Sequence, residues 1–181
     1  MIINNVLGIA SGLILSTASV FALEVGDGLT LFNKSPRLVD TVTTLSRIRV
    51  DGAEYYFTLE LPENVGEPLQ KLIIQQNRGE DKIYFALDET YAFEGKPINR
   101  GNALSIARVK RNLDNNKISI IFEPPIPPGK TFTVGFKPKK NPDISGVYYF
   151  GVTAYPFGQN PQGLYLGPGR LQFYQQGDRF P

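Results

Sequence analysis

The sequence contains no cysteine and no histidine. Those two absences exclude disulfide staples, thiol nucleophiles, imidazole bases and nearly all zinc or copper sites together. No cofactor and no metal is expected. Tryptophan is absent and methionine occurs once. Charge is balanced, 19 Lys and Arg against 17 Asp and Glu for a net +2. That is too small an excess to hold a phosphate backbone, so nucleic acid is not an expected partner. No stretch carries a convincing amphipathic helical period, and no internal repeat or low-complexity segment is present.

What the chain does have is strand and turn chemistry: twelve Phe, nine Tyr, eighteen Gly and fourteen Pro in 181 residues. Such composition suits sheets rather than helical bundles. A chain this long buries roughly two-thirds of its unfolded surface, so a core can hold the fold without cross-links. Its one long apolar run lies at the start. Met1 to Leu23 has no charged side chain, and Val6 to Ala22 is apolar with small residues throughout. Val20 and Ala22 stand at the −3 and −1 positions of a signal-peptide cleavage site, just ahead of Glu24, the first acidic residue. The expected division is 1–22 as signal peptide and 23–181 as one domain. A run of this length falls only slightly short of a spanning helix, so an uncleaved anchor is the alternative and the one route to membrane association.

Alternation then marks the strands. In Ala53–Leu61 it sets Tyr55, Phe57, Leu59 and Leu61 on a core face against Tyr56, Thr58 and Glu60 on a wet one. Leu69–Gln76 fits a helix or a strand; its shortness and the turn Asn77-Arg78-Gly79 favour a strand. Lys82–Leu87 reads as a strand ending in a polar turn, Asp88-Glu89-Thr90, with a looped segment beyond it. Ala103–Val109 and Lys117–Phe122 form a hairpin across an Asn- and Asp-rich turn. The proline-rich stretch Pro124–Gly129 reads as a stiff crossover at a sheet edge. The strand Thr131–Pro138 follows. Gly146–Gly158 reads as the central strand, flanked by Thr131–Pro138 and Gly169–Tyr174. Its Tyr148, Phe150, Val152 and Ala154 share one face, and Val147, Tyr149, Gly151 and Thr153 the other. Together these strands predict an all-β, antiparallel β-sandwich, immunoglobulin-like or jelly-roll-like.

YYFTLELPENVGEPLQKLIIQQ, PPGKTFTVGFKPKKNP, GVYYFGVTAYPFG and GLYLGPGRLQFY occur in this order along the chain. In these segments it resembles the exported cyanobacterial proteins grouped as domain of unknown function 2808. The resemblance implies a cyanobacterial source and a periplasmic or cell-surface location. It supplies no catalytic residue and no ligand.

Candidate sites follow from residue type. Without His and Cys, chemistry would fall to carboxylates, and Asp88-Glu89, Glu80-Asp81 and Glu63 all sit in expected turns, where solvation is their ordinary role. No Asp-x-Asp-x-Asp-Gly loop for calcium is present. Lys130, Lys137, Lys139 and Lys140 form a candidate basic patch, or guard an exposed strand against edge pairing. Aromatic residues crowd the C-terminal third beside Gly and Pro loops. Tyr148, Tyr155, Phe157, Tyr165 and Tyr174 are the candidate binding surface, suited to a protein interface or to sugar stacking. The expected role is that of a non-enzymatic, exported module of the cell envelope acting through protein contacts, self-association included. A polysaccharide-binding module is the alternative. The tail Gln175–Pro181 is either frayed or an added strand for another copy.

Overall fold

The computed structural model describes residues 24–25, 28–175 and 177. The expected signal segment and most of the expected tail lie outside the described residues. In chain order the strands are β1 (Glu24–Val25), β2 (Leu29–Thr30), β3 (Arg37–Thr43), β4 (Tyr55–Glu60), β5 (Leu69–Arg78), β6 (Phe85–Lys96), β7 (Asn99–Leu104), β8 (Ile106–Arg111), β9 (Lys117–Ile126), β10 (Thr131–Pro138), β11 (Gly146–Pro156) and β12 (Leu164–Phe173). Beside the small β1-β2 ribbon, they make two five-stranded sheets, β3-β4-β10-β6-β7 and β12-β11-β5-β9-β8. Every named strand pair is antiparallel. The chain passes repeatedly from one sheet to the other, which is the connectivity of a sandwich.

Alternating side chains of both sheets meet in the middle. Tyr55, Phe57 and Leu59 of β4 and Phe132, Val134 and Phe136 of β10 face Leu72 and Ile74 of β5, Ile118, Ile120 and Phe122 of β9, and Tyr148, Phe150, Val152 and Ala154 of β11. Rings meet edge to face across the layer: Phe57–Phe150 at 5.7 Å and 75°, and Phe122–Phe132 at 5.8 Å and 81°. Each such pair contributes about 0.5–1.5 kcal/mol beyond the area it buries.

The sandwich and most strands agree with the sequence reading; five details do not. First, β6 runs unbroken through Asp88-Glu89-Thr90 and on to Lys96, where a turn and loop were expected. The ladder with β10 fixes the strand on either side of this polar stretch, Ala86 opposite Lys137 and Tyr91 opposite Gly135, and the stretch itself is the register shift between them. Second, the expected strand Ala103–Val109 is two strands. The chain leaves the first sheet at Leu104 and enters the second at Ile106. The hairpin with β9 is present, from Ile106 to Phe122.

Third, Pro124 and Pro125 belong to β9, with a cis bond at Glu123-Pro124, and are not an edge crossover. They are tolerated because β8 pairs no further than Phe122, so no ladder donor is missed on that side. Fourth, β11 lies second from the rim, beside β12 and β5. The expected neighbour β10 is in the other sheet and meets β11 only across the core. Fifth, the supposedly wet face of β4 is dry at two positions, Tyr56 (2% exposed) and Thr58 (1%).

Candidate binding face

Alternation in β11 sends Tyr148 inward and Tyr149 outward, and this decides the candidate surface. Tyr148 is fully buried, with its ring edge-on to Phe173 at 5.5 Å and its hydroxyl donating to the Ile144 carbonyl at 2.8 Å. Burial raises its pKa above the usual phenol value. It therefore leaves the candidate surface as a core residue. Tyr149 takes its place on the outer side of the second sheet.

Strand register defines that outer side in rows. Arg108 of β8, Ile121 of β9, Lys71 of β5 and Tyr155 of β11 stand opposite one another. Lys110, Ser119, Ile73, Thr153 and Tyr165 make the next row, and Lys117, Gln75 and Gly151 a third. Tyr165 is 56% exposed and Phe157, just past β11, 48%. Tyr155 is half-buried, with the Lys71 ammonium 3.8 Å above its ring. Gly151 has a local reason to be glycine: a Cβ there would stand 2.4 Å from the Asn77 amide and 3.1 Å from the Tyr165 ring. Tyr174 is not part of this group. It lies at the opposite end of β12, where its backbone is tied to Ser46 and Ile48.

Of the four lysines of the expected basic patch, Lys139 lines one cleft with Lys140 and another with Lys137, and the other three each meet a carboxylate. Lys130 pairs with Glu94 at 2.9 Å, Lys137 with Glu89 at 2.8 Å and Lys140 with Asp143 at 2.8 Å. The Glu89 hydrogen bond raises the Lys137 pKa, and the Lys140 hydrogen bond lowers that of Asp143. Lys139 is exposed and lines a cleft of about 590 Å³ with Asp81 and Asp143. The candidate carboxylates are likewise dispersed. Asp81 accepts the backbone N–H groups of Asp143 at 2.6 Å and Ile144 at 3.0 Å, while Asp88 and Glu89 stand exposed on β6. Among the described residues, no group of three Asp or Glu is placed to hold a metal ion.

A second cluster, on the outer side of the first sheet, escaped the sequence reading. The hydroxyls of Tyr56 and Tyr91 lie 3.1 Å apart and both donate to the Glu54 carboxylate, Tyr91 at 2.9 Å. Arg100 of β7 donates to the Tyr56 oxygen at 2.5 Å and lays its guanidinium 4.8 Å over the Phe93 ring. Burial pushes the Glu54 pKa up, but the two tyrosine hydroxyls and Arg100 outweigh it and hold the carboxyl below its ordinary range. Burial, then the bonds to Glu54 and Tyr91, push Tyr56 up. Every polar group here has a partner within the chain, so the cluster clamps β7 to the sheet. The one hint in the sequence was Gly135, whose missing side chain makes room for the Tyr91 ring.

The fold and this face define a class: an all-β, two-sheet antiparallel sandwich with an open aromatic and basic surface. The chain belongs to the family of proteins of unknown function DUF2808, whose model matches residues 29–173. Among curated proteins none matches. Solved structures with a related arrangement include the collagen-binding domain of a Staphylococcus aureus adhesin, at 10% identity over 75% of this chain and 97% of that one, TM-score 0.40. The bacterial hydrophobin BslA matches at 12% identity over 80% and 98%, TM-score 0.48. The collagen-binding subdomain ACE19 of the Enterococcus faecalis surface protein ACE matches at 9% identity over 77% and 99%, TM-score 0.44. No site or ligand is carried over from them.

Proposed function

We propose that this chain is an exported, non-enzymatic module of the cell envelope that works by holding a partner against the outer face of the second sheet. One observation carries this reading. That face is open and sets exposed Tyr165 and the outward Tyr149 and Tyr155 beside cations that form no ion pair among the described residues, whereas on the first sheet Arg37, Lys130 and Lys137 each meet a carboxylate. Protein contact is the first form of the reading, supported by the apolar Ile73 and Ile121 at the centre of the face with charged residues around them. Polysaccharide contact is the second form, favoured by tyrosine rings standing next to amide side chains.

Site-specific photocrosslinking tests the face itself. A crosslinker replacing Tyr165 is expected to capture an envelope macromolecule, while one replacing Asp88 on the first sheet is not. Equal capture from both positions would count against the reading. Export rests on the Val20 and Ala22 cleavage pattern. Mass spectrometry of the native protein is expected to find Leu23 at the N-terminus, and an intact Met1 would contradict cleavage.

A further inference from the structure

The charge of the second sheet is one-sided. Strands β5, β8, β11 and β12 contain no Asp or Glu, and β9 contains only Glu123. On the same sheet Lys71, Arg78, Arg108, Lys110, Lys117 and Arg170 are all partly or fully exposed. Among the described residues, none of these six joins an ion pair; every ion pair lies on the first sheet or in loops. Six cations gathered on one face with Glu123 as the one carboxylate in its strands repel one another. A bound anion relieves that repulsion.

Two shallow clefts on this face have the same make-up. One, of about 270 Å³, is lined by Tyr149, Tyr165, Asn77 and Arg78. The other, of about 180 Å³, is lined by Tyr155, Gln70 and Lys71. Each therefore contains tyrosine, a side-chain amide and a cation; in the first the rings of Tyr149 and Tyr165 stand beside Arg78, and in the second the Lys71 ammonium rests over the Tyr155 ring. A ring stacks on the apolar face of a sugar, an amide exchanges hydrogen bonds with its hydroxyls, and a cation meets its carboxylate or sulfate. Tyr149 and Tyr155 are six residues apart on β11, roughly 20 Å along the strand. Gly151 and Thr153 lie between them on the same face, and the Asn77 amide and the Tyr165 ring lean over Gly151. Lys71 and Arg108 both stand opposite Ile121, two strand spacings or roughly 10 Å apart, which continues the positive charge sideways. Two subsites of related make-up on one positively charged face fit a repeating ligand.

We propose that the outer face of the second sheet binds a linear anionic polysaccharide, with acidic sugars a few units apart along the polymer occupying the Tyr149/Tyr165/Arg78 and Tyr155/Lys71 clefts. This rests on the reading above that the face is the contact surface, and adds the occupant. The test uses affinity gel electrophoresis of the full chain with polygalacturonate, and with the same polymer after methyl esterification, which keeps the sugar and removes its charge. Polygalacturonate is expected to retard the chain, the esterified polymer at least about tenfold more weakly, and retardation should fall with added salt. Arg78→Gln and Lys71→Gln are each expected to weaken it several-fold. Tyr165→Ala should do so at unchanged charge, and Lys139→Gln, an equal charge change elsewhere, should leave it as it was.

No retardation by polygalacturonate overturns the proposal. So does retardation that ignores Tyr165→Ala and responds equally to Lys139→Gln, because that is unspecific attraction to a polyanion. If the polymer fails while crosslinking from Tyr165 still captures an envelope protein, the contact face stands and the polysaccharide is wrong. If neither succeeds, both readings fall.

Discussion

The outer faces of the two sheets use the same residue types and treat them in opposite ways. On the first sheet, Tyr56, Tyr91 and Arg100 close on Glu54, Lys137 on Glu89, Lys130 on Glu94 and Arg37 on Glu60. On the second, Tyr149, Tyr155 and Tyr165 stand among lysines and arginines that form no ion pair among the described residues. Tyrosine and cation together are therefore no mark of a binding site. Polar groups that bond within the chain stabilise it, and groups left without an internal counter-charge are free to bind something else.

The largest perturbation tests what the faces share. Phe150→Ala empties the centre of the common core and is expected to lower stability by about 3–5 kcal/mol. Urea unfolding checks it, and both sheets should unfold in one transition. Next come two glycines that differ only in what lies over them. At Gly135 an added methyl would stand 2.7 Å from the Tyr91 ring, which its hydroxyl bonds hold in place, so Gly135→Ala should destabilise by about 1–3 kcal/mol. Gly151→Ala meets mainly the mobile end of Asn77 and should be milder; equal losses would erase the distinction between a clamped and an open face.

Smaller still is the effect of Glu54→Gln, about 1–2 kcal/mol at neutral pH through weakened bonds to the two tyrosines. Its pH dependence carries the sharper information. The folded carboxyl titrates below the ordinary 4.5, so its contribution is present above 4.5 and is lost as pH falls through the lower folded value. Melting temperatures of wild type and Glu54→Gln should therefore converge on acidification below 4.5, and a constant gap would show that Glu54 acts otherwise. Arg108→Gln and Lys110→Gln on the second sheet are expected to change stability by less than about 0.5 kcal/mol, since neither joins an ion pair among the described residues. A substantial loss would mean that this face is structural too.

Much of this molecule can be read from its strands one at a time. The alternation in Ala53–Leu61 placed Tyr55, Phe57 and Leu59 on the core side, and the apolar series of β11 and β10 did the same. Partners could not be read. No local pattern shows that Lys137 meets Glu89, forty-eight residues away. Tyr56 looked wet because Tyr91, Phe93 and Arg100, which cover it, come from strands β6 and β7, and β6 is adjacent only to β10 and β7.

Two neighbouring tyrosines sum up the division. That Tyr148 and Tyr149 face opposite ways is a property of any extended chain, set by the two-residue pleat and fixed before folding is complete. Which of them is buried depends on what lies above each side. The other sheet covers Tyr148, and nothing in the described structure covers the row that begins at Tyr149. The sequence by itself determined the class of fold, the strand faces and the absence of thiol and imidazole chemistry, because these depend on composition and short-range periodicity. Only the tertiary structure decided which cations meet carboxylates and which do not, because that pairing is made by strand register across dozens of residues of intervening chain.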